Sequence, residues 1–116
     1  MYPKIIKEHF ADPKNVGKIK NPTNIGSFTT PTGAKAIFYF LIENNVVKDI
    51  KYQIAGCPFA IAVCSILSEY AKGKSIDGLK KITMSSLEQF FKIPQEKEDC
   101  INMSLNAFLN GLEMTK

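Results

Sequence analysis

The segment from Pro58 to Lys72 constrains this chain more than any other. Phe59, Ala62, Val63, Ile66 and Tyr70 form one apolar stripe at helical spacing, and Ala60, Ile61, Cys64, Leu67 and Ala71 form an adjacent one. A helix with two such stripes has little surface left to face water, so the rest of the fold must be built around it. Pro58 suits its first turn and Gly73 its end. The turn Ala55-Gly56-Cys57-Pro58 puts a thiol at the helix start, and Cys100 follows Asp99 where the last amphipathic segment begins. Unpaired N–H groups and the positive end of the helix dipole favour a thiolate at such places, so both thiols are expected to have lowered pKa values.

With 116 residues, 45% of them hydrophobic, residues 1–116 are expected to form one compact domain with its own core. The longest apolar run, Ala36 to Ile42, is too short to cross a bilayer, and the first residues carry no secretory signal. These features point to a cytoplasmic protein with no membrane association. The net charge of +4 comes without an arginine-rich stripe or basic residues interleaved with exposed aromatics, which points away from nucleic acid. Three cysteines, an odd number, argue against a disulfide framework and leave metal binding, thiol chemistry or packing.

The expected order of elements is a short helix over 3–10, an extended loop to Gly26, a strand over 25–30, a hairpin of strands 36–43 and 46–55, and the buried helix. Two short capped helices at Ser75 and Ser85 and a last helix from Asp99 to Met114 complete it. Asn44-Asn45 marks the hairpin turn. Strict alternation places Val46, Lys48, Ile50, Tyr52 and Ile54 on one face of the second hairpin strand and Val47, Asp49, Lys51 and Gln53 on the other. In the first strand both rows are apolar. Phe38, Phe40 and Ile42 are expected to form an exposed row suited to homodimerisation or a hydrophobic partner.

Tyr2, His9-Phe10, Asp12 to Gly17, Ala55-Gly56-Cys57 with Ala60-Ile61-Ala62, Lys72 to Ser75, and Ile93-Pro94 ahead of Cys100 occur in an order that resembles the NifU/IscU-type iron-sulfur cluster assembly scaffolds. The resemblance implies an α+β fold: a small antiparallel β-sheet with helices packed on one face and a helical C-terminal half. It also implies a site of three cysteines and an aspartate at one end of the domain. There, sulfur from a cysteine desulfurase joins iron, and the cluster passes to acceptor proteins.

By this resemblance Cys57 and Cys100 match the second and third family cysteines. Gly33 stands at the first, Lys35 at the aspartate, and Asp99 at a histidine that precedes the last cysteine. The expected cofactor-binding residues are therefore Cys57 and Cys100, with Asp99 as a third metal ligand or simply a helix N-cap. Iron, an iron-sulfur cluster or zinc are the candidate cargoes, with weaker capacity than full family members have. Lys35 is expected to favour a thiolate on either cysteine while repelling a bare cation. Gln95 replaces a proline in the stretch that chaperones recognise in some members.

Cys64, about 10 Å along the helix from Cys57, reads as core packing. His9, the only histidine, lies on the apolar side of the first helix and suits packing or a hydrogen bond. It has no carboxylate and nucleophile at motif spacing, so the chain reads as a non-enzyme. Two rival functions remain open: a metal-free paralogue that regulates a desulfurase or scaffold by docking, and a sulfur carrier that uses Cys57 alone.

Overall fold

The computed structural model describes residues 3–113, so Tyr2 of the resemblance and the expected helix end at Met114 lie outside the described residues. Its elements are α1 (Lys4–Ala11), β1 (Asn24–Thr29), β2 (Lys35–Glu43), β3 (Val46–Ala55), α2 (Pro58–Ala71), α3 (Ile76–Leu79), α4 (Met84–Leu87), a 3₁₀ turn (Gln95–Lys97) and α5 (Glu98–Glu113). The strands form one antiparallel sheet in the order β1-β2-β3. Helices α2 and α5 pack on one face of it and α1 packs on α2, the α+β arrangement expected.

Local chemistry accounts for most boundaries. Asn44 and Asn45 both adopt positive φ (52° and 65°), the left-handed pair that joins β2 to β3 with the twist two strands need. Ser75 caps α3 by accepting the Gly78 N–H. The second short helix is capped by Thr83 rather than Ser85: Thr83 and Ser86 form a reciprocal capping box, two residues earlier than expected. Asp99 is likewise no N-cap, because the 3₁₀ turn leads into α5 at Glu98 and leaves Asp99 inside its first turn.

The expected exposed row on β2 is interior. Phe38 and Phe40 are fully buried, and Ile42 packs against the core. When both rows of a strand are apolar, the helix that arrives from elsewhere decides which one is covered. Here α5 brings Phe108 edge-on to Phe38 at 5.5 Å and within 5.7 Å of Phe40. The outward row is Ile37, Tyr39 and Leu41, all half-buried. Dimerisation through Phe38, Phe40 and Ile42 is therefore ruled out by this packing.

Strict alternation also fails in β3. Leu41 pairs with Asp49 but Ile42 pairs with Val47, so Lys48 is an extra residue in a bulge. The bulge moves Val47 to the covered side together with Ile50 and Tyr52, all fully buried. Glycines allow a close approach of helix to sheet: Gly26 of β1 lies against Gly111 of α5, where a Cβ on either would collide with its neighbours.

The loop before β1 is strapped to α2 and β3. Ser65 Oγ accepts the Lys14 N–H at 2.8 Å, and Asn15 Nδ2 donates to Ser68 Oγ at 3.0 Å. Tyr52 donates its N–H to Asn15 O and accepts from Gly17 N at 2.8 Å, which lays residues 15–17 along the edge of β3. Further along that edge, Val47 exchanges main-chain bonds with Gly73 and Lys74.

Candidate functional site

The antiparallel register brings Thr29, Lys35 and Ala55 level with one another, so the β1–β2 turn and the exit from β3 lie at one end of the sheet. Helix α2 starts there, and α5 starts beside it. Together they enclose a pocket of about 470 Å³. Thr30, Thr32 and Ala34 line it from the turn, Cys57 from α2, and Asp99, Cys100 and Met103 from α5.

Cys57 is the N-cap of α2 with an extended backbone (φ −76°, ψ 164°), and its thiol makes no capping bond. Cys100 lines the same pocket, close enough for Cys57 to act on it electrostatically, and both residues are half-buried. The two matched cysteines therefore converge on one site. At Cys100 the electrostatics differ from the expectation of a lowered pKa. Burial first, then the adjoining Cys57, pushes the Cys100 thiol up to about 11; Asp99 acts in the same direction and Lys97 against it. Loss of water around the sulfur outweighs the helix start.

Lys35 plays no part in this pocket. It projects from the outward row of β2 and lines a separate hollow with Ile37, Gln53 and Ala55. The cation that does act on Cys100 is Lys97, missed in the sequence although its three-residue spacing to Cys100 is the spacing of neighbours across one helical turn. Gly33 (φ +93°) is exposed at the tip of the β1–β2 turn with open space around it. Two hydroxyls, Thr30 and Thr32 at 3.0 Å from each other, occupy the side of the pocket nearest to it in sequence.

Asp99 shares the pocket, yet among the described residues no three His, Cys, Asp or Glu side chains gather closely enough to hold one metal ion. Two thiols are half of the four protein ligands that an iron-sulfur cluster commonly takes. Cys64 is fully buried and its pKa is pushed up to about 12, as suits packing. The Ser65–His9–Glu69 trio resembles a triad in outline: His9 Nδ1 is 2.7 Å from Ser65 Oγ, and Nε2 is 3.8 Å from Glu69 Oε1. Ser65 is sealed from solvent and already holds the Lys14 N–H, so the trio anchors α1 and the loop to α2.

The fold and the pocket define the class. The chain matches the NifU-like N-terminal domain family over residues 1–116 and belongs to it. It is 37% identical to the iron-sulfur cluster assembly scaffold protein IscU 1 of Archaeoglobus fulgidus, across 97% of this chain and 74% of that protein. It is 32% identical to the IscU scaffold protein of Aquifex aeolicus, across 91% of this chain and 70% of that one. The same fold occurs in the N-terminal part of a NifU-like protein from Brucella abortus, with a TM-score of 0.79 over 99% of this chain and 96% of that one at 15% identity. Among the described residues, no helix is long and apolar enough to cross a membrane.

Proposed function

We propose that this chain is a non-catalytic, cytoplasmic iron-sulfur assembly scaffold that accepts sulfur on Cys57 and holds sulfur or iron between Cys57 and Cys100. The observation that carries this reading is the convergence of the two thiols on one pocket at the end of the sheet. Thiolates are the soft donors that iron-sulfur chemistry uses. A cysteine desulfurase is the fitting sulfur source, and a cluster acceptor protein the fitting destination. Because one chain brings two thiols to the pocket, a cluster or a zinc ion takes its remaining ligands from elsewhere, with Asp99 the carboxylate lining the pocket.

Anaerobic reconstitution with iron and sulfide tests it. Wild type binds iron, and the Cys57→Ala, Cys100→Ala double variant does not; equal iron in both overturns the reading. A second reading, a metal-free docking module for a desulfurase or scaffold, draws on the missing third donor. It expects the double variant to capture a desulfurase as well as wild type does.

A further inference from the structure

A persulfide on Cys57 would form in the pocket that also holds the Cys100 thiol, and among the described residues no three His, Cys, Asp or Glu side chains gather closely enough there to hold a metal ion. Both cysteines line the same pocket, and both are half-buried rather than sealed. The third cysteine, Cys64, is fully buried in the core and is no competitor. A full metal site traps sulfur beside waiting iron. Two thiols that share a pocket without a closed metal site have a different outcome open to them, because thiol–disulfide exchange needs only an attacking thiolate, an accessible sulfur and a leaving group.

We infer that Cys100 is a resolving thiol for sulfur accepted on Cys57, so that the pair releases that sulfur as hydrosulfide and closes to a disulfide. The inference rests on the reading of Cys57 as a sulfur acceptor. In the step, the Cys100 thiolate attacks Cys57 Sγ of the persulfide, having given its proton to solvent. A bond forms between the two cysteine sulfurs as the bond from Cys57 Sγ to the outer sulfur breaks, and the electron pair leaves with the outer sulfur as hydrosulfide. The outer sulfur is reduced by two electrons and the cysteine pair is oxidised by two. A dithiol reductant acting in trans returns the pair to thiols. The chain thus converts bound sulfur to the free sulfide that cluster building consumes, at the cost of one disulfide per turnover.

The test loads the full chain anaerobically with inorganic polysulfide, removes the excess, and follows intact mass, peptide mapping and released sulfide. Wild type is expected to lose the added sulfur, release sulfide and gain a Cys57–Cys100 disulfide. Cys100→Ser, with Cys100→Ala as a second variant, is expected to keep one extra sulfur on Cys57 and lose sulfide release. Wild type that retains its persulfide as the variants do, with no disulfide, overturns the inference and leaves sulfur acceptance standing. No added sulfur on Cys57 in any of the three proteins overturns acceptance and the inference together.

Discussion

Ser104 of α5 donates its hydroxyl to the main-chain oxygen of Ala60 in α2 at 2.9 Å, one helical turn beyond Cys100 and close behind Cys57. Both residues are fully buried. This bond ties together the two helices whose first turns carry the thiols. Ser104→Ala is expected to lower stability by about 1 kcal/mol, the ordinary net worth of such a bond, seen as a lower denaturant midpoint with an unchanged slope. An unchanged midpoint would mean that the α2–α5 angle is held by apolar packing alone.

Close approach of α5 to the sheet depends on absent side chains. Gly111→Ala sets a methyl group against the fully buried Phe40 ring, packed on Phe38 and Phe108, and is expected to cost about 3 kcal/mol, the upper end for overpacking a core. Gly26→Ala presses on the backbone of Gly111 and Ala107, which cannot shift as easily, and is expected to cost more. Chemical denaturation of the two variants side by side checks the order.

The choice of buried row on β2 gives a third expectation. Phe38→Ala should cost about 3–5 kcal/mol, the range for emptying an aromatic site in a core. Ile25→Lys, at a side chain 45% exposed on β1, should stay within about 0.5 kcal/mol of wild type. Similar losses in both would put the sheet the wrong way round.

Two buried acids, Cys64 and Tyr52, and the half-buried Cys100 make the protein sensitive to alkali. Cys100 is raised to about 11, and Cys64 and Tyr52 to about 12, with burial the first cause in each. Their folded pKa values lie above the unfolded ones, so the folded chain holds more protons once pH exceeds the unfolded values. The stability they contribute is complete below about 9 and falls as pH rises towards 12. Thermal unfolding against pH should show this decline, and Cys64→Ala should make it shallower. In the Cys57→Ser variant, Cys100 loses the thiol neighbour that helps to raise it. Its alkylation at pH 9 should therefore be faster than that of Cys100 in wild type, read by peptide mapping.

What the sequence disclosed was local. The Asn44-Asn45 turn, the two-stripe helix and the Ser75 cap all act within a few residues, and each stands where composition put it. What escaped depended on distant partners. Nothing in Ala36 to Ile42 distinguishes the row that meets Phe108 from the row that does not. The extra residue at Lys48 shifts the phase of β3 without any glycine to mark it. At the site, the resemblance paired Cys57 with Cys100, and both line one pocket. It also drew attention to Lys35, whose strand turns it outward, and away from Lys97, whose helix turn brings it near.

The strap of residues 15–17 and the return at residues 73–75 have a further consequence. Between them they use the outward main-chain groups of Tyr52 and Val47, interrupting the free margin of the last strand near both its ends. A foreign chain seeking to extend the sheet there finds its template already taken, so the margin resists the strand-by-strand growth that leads to amyloid-like assembly.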